Sequence, residues 1–226
     1  EGDEVIIPTP YWVSYVDMIK YAGGIPVFLK TNYENNLNIN IDELENIITN
    51  KTKLLLINSP NNPSGKYFDS STLKKISDVL LKNQQIYVAT DDIYEHIIWH
   101  KETFHNILNV CESLYDRTII FNGISKAFAM TGWRVGYAAG PKELIKAMKT
   151  LQSQSTSCPS SISQASASVA LTTDTESIEN MNKEYKKRHD LVVNALNTIK
   201  DVECKETDGT FYIFPSFKKF IEKNKK

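Results

Sequence analysis

No apolar run in this chain approaches the ~18 residues that a membrane-spanning helix needs, and no basic-then-apolar leader opens it. The first observation argues against a membrane partner. Cysteine is scarce. Cys111, Cys158 and Cys204 are odd in number, far apart and without Cys-x-x-Cys spacing, which predicts reduced thiols in a cytoplasmic setting rather than a disulfide framework. Net charge of one sign is missing too: 26 basic against 27 acidic residues leave −1, with no broad electrostatic reason for a nucleic-acid partner. Arginine, whose planar fork grips carboxylates and phosphates at two points, occurs only as Arg117, Arg134 and Arg188.

What is present is an ordinary globular composition, 41% hydrophobic over 226 residues, enough for one large domain or one and a half average ones. Val5 to Ile7, Ile25 to Leu29, Lys53 to Ile57, Ile86 to Thr90, Thr118 to Phe121 and Arg134 to Ala139 read as strands. Between them, Ser14 to Ala22, the set Ile41, Leu44, Ile47 and Ile48, and the set Leu73, Ile76, Val79 and Leu80 fall at helical spacing. Strands alternating with helices predict an α/β fold, a three-layer αβα sandwich around a mainly parallel sheet. Pro141 and Pro159 each suit the first position of a helix. A long charged amphipathic helix follows, about Glu176 to Ile199, and leads out of the sheet domain. Val202 to Cys204 and Phe211 to Phe214 then read as strands of a smaller α+β domain. The expected division is a large domain, 1–198, and the beginning of a small one, 199–226. Both ends look cut, so the chain reads as the middle of a longer one.

Ligands of open α/β sheets lie beyond the carboxyl ends of the strands, so the polar residues just after each apolar run carry the candidate chemistry. Lys53 to Ile57 leads to Asn58-Ser59-Pro60-Asn61-Asn62-Pro63-Ser64-Gly65. Ile86 to Thr90 leads to Asp91-Asp92-Ile93-Tyr94, and Thr118 to Phe121 leads to Lys126, with Arg134 eight positions on. A lysine that loses its proton attacks carbonyls, whereas arginine stays charged and holds phosphate. Together they suggest a phosphorylated aldehyde. Each cluster alone has a plainer reading: a Pro/Asn/Gly turn, an acidic helix start, a solvated lysine, a surface ion pair. Gly65-Lys66 is no phosphate-binding Walker loop, since Tyr67 follows and the upstream glycine is missing. His96 and His100 have metal-like i, i+4 spacing but no acidic third ligand, so no metal site is expected.

Ser125-Lys126-Ala127-Phe128-Ala129-Met130-Thr131-Gly132-Trp133-Arg134 resembles the pyridoxal-phosphate lysine motif of class I aminotransferases, closest to bacterial aspartate aminotransferases. The likeness extends over nearly the whole chain. It implies the large domain of fold-type I enzymes, with pyridoxal 5′-phosphate held as an imine on Lys126. By the same carry-over, Asn62 and Tyr94 hydrogen-bond the cofactor's phenolate oxygen, Asp91 faces its pyridine nitrogen and Arg134 binds its phosphate. Trp12, within Pro10-Tyr11-Trp12-Val13-Ser14, stacks on its ring, with Ile93 on the other face. The implied reaction is transamination between L-aspartate and 2-oxoglutarate, in a cytoplasmic homodimer acting on small amino and 2-oxo acids. Aromatic, alanine or prephenate-type donors, a lyase, or a non-catalytic fragment remain as alternatives.

The sequence also departs from that pattern. Many relatives carry a hydroxyl residue three positions before the lysine; here Gly123 stands there and Ser125 lies one before, so no phosphate role carries over to Ser125. The family's α-carboxylate arginine and glycine-rich loop have no match in this chain, which is expected to be catalytically incomplete alone.

Overall fold

A computed structural model describes residues 1–99 and 103–224. Six strands form one sheet in the order β2-β1-β3-β4-β5-β6: β1 Glu4–Pro8, β2 Ile25–Leu29, β3 Thr52–Asn58, β4 Tyr87–Asp91, β5 Thr118–Gly123 and β6 Gly136–Ala139. The first five are mutually parallel and β6 is antiparallel to β5. The mainly parallel sheet read from the sequence is therefore the one observed. Its last strand is shorter than expected. Arg134 is left-handed, φ 55 and ψ 50, and a residue in that conformation cannot lie in a strand.

Among the described residues, eight α-helices carry the chain between and beyond the strands: α1 Ser14–Tyr21, α2 Ile41–Ile47, α3 Ser70–Lys82, α4 Ile107–Val110, α5 Lys142–Ser153, α6 Ser161–Thr172, α7 Glu176–Asn197 and α8 Lys218–Asn224. Asn40 and Asp69 begin α2 and α3 by accepting the first free backbone amides, from Asp42 and Glu43 and from Thr72 respectively. The end of α3 is closed by Arg117, whose guanidinium donates to the carbonyls of Leu80, Asn83 and Ile86 at 2.8 to 3.0 Å. One of the chain's three arginines is thus committed to a helix end.

Because successive strand residues point to opposite faces, the sheet sorts its own apolar side chains. Ile6, Leu55, Ile57 and Val88 join Leu44 of α2 and Leu73, Ile76, Val79 and Leu80 of α3 in the main core. Val5, Ile7, Leu54 and Leu56 turn the other way, toward Tyr15 and Ile19 of α1. Helices on both faces make the expected three layers.

The expected strands after α7 are not formed. Residues 203 and 216 make one isolated antiparallel bridge, as do residues 98 and 209, but Phe211 to Phe214 pair with no strand. Their aromatic rings are used instead for packing against side chains: Phe211 and Tyr212 both lie edge-on to Tyr94. The segment before them is tethered closely to the sheet domain. Asp208 and Gly209 donate backbone amides to the Gly65 carbonyl, Thr210 donates to Ile97, and Thr207 donates to His189 Nε2. Gly65 is required at this approach: φ is +66, and a Cβ would come within 2.6 Å of Thr207 Cβ.

Candidate active site

The carboxyl ends of β3, β4 and β5 finish in register, Asn58 beside Asp91 and Asp91 beside Phe121. A rim three strands wide results. Loops after those strands deliver the polar clusters to it, and the loop after β1 adds Trp12. Together they line a cavity of about 360 Å³ whose wall includes all six candidate residues: Trp12, Asn62, Asp91, Tyr94, Lys126 and Arg134. Residues spread over more than a hundred positions of sequence share one space, as the rim argument requires.

Hydrogen bonds fix most of these groups. Asn58 donates its amide to the Asp91 carbonyl at 2.9 Å and accepts from the Asn62 backbone amide at 2.7 Å, tying the asparagine loop to the end of β4. Cis peptide bonds precede Pro10, Pro60 and Pro63 in the two loops concerned. Asp91 accepts from the Tyr15 hydroxyl at 2.5 Å and from the Ile93 amide at 3.3 Å. Tyr94 and Tyr212 place their hydroxyls 3.1 Å apart. Lys126 sits in the turn that follows β5, with its ammonium 5.7 Å from the Phe211 ring centre. Trp12 meets Tyr15 edge-on at 5.4 Å.

Burial dominates the electrostatics. Desolvation pushes the Asp91 carboxyl above its ordinary value, while the Tyr15 hydroxyl, the Ile93 amide and the positive charge of Lys126 pull it back. Tyr94 is held well above the usual phenol range by burial first, then by Tyr212 and the negative charge of Asp91, with the Asn62 amide opposing. The charge of Lys126 thus acts on Asp91, and that of Asp91 on Tyr94.

Arg134 departs from expectation in one respect. Its flanking residues suggest enclosure, yet Arg134 is exposed, Trp133 is 42% exposed, and only Val135 is buried. The cause is the short turn over residues 131–133, which lies on the surface, where the Arg134 guanidinium donates back to the Thr131 carbonyl at 3.0 Å. Gly123 has a steric reason. A Cβ there would meet the Val135 carbonyl at 2.8 Å, so no hydroxyl residue fits, whereas Ser125 lies on the cavity wall. The His96 and His100 pair cannot be judged as a pair, because His100 lies outside the described residues. His96 contacts Glu95 at 3.4 Å, and among the described residues no cluster suited to a metal occurs.

Sequence reasoning gave no role to Tyr15, Asn58, Asn122, Thr131 and Tyr212 on the same wall. Asn58 stood in the polar run after its strand, and Tyr15 could have been found as the residue three positions from Trp12. Tyr212 had no local signal, since only the tethering of the segment around 207–210 brings it in.

The fold and this rim define a class of protein. Residues 1–224 match the family "aminotransferase class I and II", and the chain belongs to it. It is 46% identical over 222 residues to the aspartate/prephenate aminotransferase of Nitrosomonas europaea, covering 98% of this chain and 56% of that one. The crystal structure of the aspartate aminotransferase from Rhizobium meliloti matches with a TM-score of 0.94 at 44% identity, over 96% of this chain and 55% of that one. The aromatic aminotransferase from Pyrococcus horikoshii OT3 matches with a TM-score of 0.90 at 39% identity, over 95% and 57%. The chain therefore spans little more than half the length of these relatives.

Proposed function

We propose that this chain holds pyridoxal 5′-phosphate and, within a longer protein, serves transamination between an amino acid, L-aspartate first, and a 2-oxo acid such as 2-oxoglutarate. The observation that carries the reading is the convergence of Lys126, Asp91, Asn62, Tyr94, Trp12 and Arg134 on one cavity. The donor set fits the cofactor group by group. Lys126 offers a primary amine to the aldehyde, Arg134 a guanidinium to the phosphate and Asp91 a carboxylate to the pyridine nitrogen. Asn62 and Tyr94 offer an amide and a phenol to the ring oxygen, and Trp12 offers an indole to the ring face.

When bound, the cofactor supplies a conjugated ring that takes up the electron pair released as the substrate's Cα–H bond breaks. Lys126 Nζ would hold the cofactor through its aldehyde and, as a free amine, would be the group that takes up the substrate's Cα proton and gives a proton back, base and acid in turn. Asp91 would face the pyridine nitrogen and favour its protonated form. Asn62 and Tyr94 would hold the ring oxygen and Arg134 the phosphate, with Trp12 and Ile93 available to cover the ring. Release of one 2-oxo acid before a second enters demands ping-pong kinetics.

In the same reading, residues 1–198 form the cofactor domain and 199–226 begin a smaller one. The working unit is a homodimer, and the free thiols of Cys111, Cys158 and Cys204 suit a cytoplasmic setting. One feature favours an aromatic donor as a second reading. Arg134 is the single arginine on the cavity wall, and Tyr94 and Tyr212 on that wall are backed by Phe211.

The test uses the full-length protein. Pyridoxal phosphate gives a visible absorption band that persists after dialysis and disappears in Lys126→Ala. That variant loses at least about 10⁴-fold in turnover while its unfolding midpoint without cofactor stays in place. A persistent band in Lys126→Ala sinks the reading, and a panel of aspartate, alanine, aromatic and prephenate-type donors separates the two donor classes.

A further inference from the structure

Among the polar groups on the cavity wall, the hydroxyl of Tyr15 has no place in the chemistry so far. Tyr15 opens the first turn of α1, is 5% exposed, and packs with Val5, Ile7 and Ile19. A phenylalanine would fill that apolar setting equally well. The hydroxyl instead donates to Asp91 Oδ2 at 2.5 Å, across 76 positions of sequence. Short O–H···O contacts of this kind mark a charge-assisted bond to a carboxylate. Among the described residues, the Asp91 side chain otherwise accepts only the 3.3 Å contact from the Ile93 amide, too long to fix its orientation.

We propose that Tyr15 is a positioning residue, which clamps Oδ2 of Asp91 and leaves Oδ1, with one weak contact, as the oxygen that has acceptor capacity to spare for a cationic ring nitrogen. The same ring meets Trp12 edge-on at 87° between planes. One turn of α1 therefore sets the acid and braces the ring platform together, so that the two cannot move independently. The inference rests on the cofactor reading above, and its test is arranged so that each can fail alone.

The experiment compares Tyr15→Phe, Asp91→Asn and the double variant in the full-length protein, loaded with pyridoxal phosphate and stripped of it. In the loaded form, Tyr15→Phe weakens retention of pyridoxal phosphate by about tenfold or more in equilibrium dialysis. The acid side of the binding-versus-pH curve also moves to higher pH. In the Asp91→Asn background the same change has no further effect, because the partner of the hydroxyl has lost its charge. In the stripped form, the carbon-13 carboxyl signal of Asp91, assigned by its loss in Asp91→Asn, titrates at higher pH in Tyr15→Phe, and the unfolding midpoint hardly changes. Additive losses in the double variant, or an unmoved Asp91 titration, would overturn the proposal. If the parent protein binds no pyridoxal phosphate while the Asp91 titration still responds to Tyr15→Phe, the cofactor reading falls and the Tyr15 clamp stands.

Discussion

Asp91 and Asp92 are neighbours in sequence and opposites in surroundings. Asp91, the last residue of β4, turns to the α1 side, where it meets Tyr15, feels the charge of Lys126 and lines the cavity. Asp92 turns to the α4 side. There it accepts from the Thr90 hydroxyl at 2.5 Å and from the Asn106 amide at 3.3 Å, and it is 2% exposed. Burial raises both carboxyls, but Asp92 has no cation among the groups that act on it and is pushed up to about 7. The two faces of the sheet differ in the same sense. One is closed by α2, α3 and α4 over a buried apolar core, while the other carries α1 beside an apolar hollow of about 560 Å³ lined by Val5, Leu54, Leu56, Ile119 and Phe121. Stability is concentrated on one face and ligand chemistry on the rim of the other.

The comparison breaks most readily at Ile76, which is fully buried on the closed face. Ile76→Ala removes three carbons from a filled interior and should cost about 2–5 kcal/mol in denaturant unfolding. Cofactor affinity per folded molecule should hardly change, since no residue described on the cavity wall is a member of that core cluster. A parallel loss of affinity would show that the two faces are coupled and that the division is wrong.

Asp92 sharpens the contrast by pH. Its carboxyl titrates near its ordinary value when unfolded and at about 7 when folded, so the folded state holds the extra proton between these values. Stability is full below that window and declines as the pH rises through it, by on the order of 1 kcal/mol per pH unit. The raised Asp91 adds to the slope in the cofactor-free protein. Asp92→Asn should flatten the pH profile of unfolding. An unchanged slope would mean that Asp92 is not the group responsible.

Most of the scaffold was legible because local signals and tertiary demand agree. The six apolar runs are strands, the helical spacings of Leu73, Ile76, Val79 and Leu80 mark the face of α3 that is buried, and the rim rule brought Asn62, Asp91 and Lys126 together. Misreadings arose where a backbone conformation overrode a pattern. Arg134 was read as a strand start, yet its left-handed backbone ends a surface turn. Phe211 to Phe214 read as an apolar strand, but the neighbours of Phe211 and Tyr212 in space are aromatic rings rather than another strand. Tyr15 lies inside the span Ser14 to Ala22 read at helical spacing, and periodicity cannot tell a buried phenyl from a buried phenol whose partner lies 76 residues away.

The smallest expected effect lies at Tyr212, the residue that brings the late segment to the cavity. Its hydroxyl lies 3.1 Å from that of Tyr94, and a phenol pair of this kind contributes about 0.5–1.5 kcal/mol net. Tyr212→Phe keeps the ring that stacks beside Phe211 and Tyr94, so the unfolding midpoint should fall only slightly. Turnover should drop by no more than about tenfold, and the pH profile of the loaded protein should shift, because Tyr94 has lost the partner that helps set its phenol. The backbone tethers at Gly65, Ile97 and His189 do not involve that hydroxyl and remain intact. A stability loss as large as that of Ile76→Ala would place Tyr212 with the structural core and move the boundary between the two regions to the rim itself.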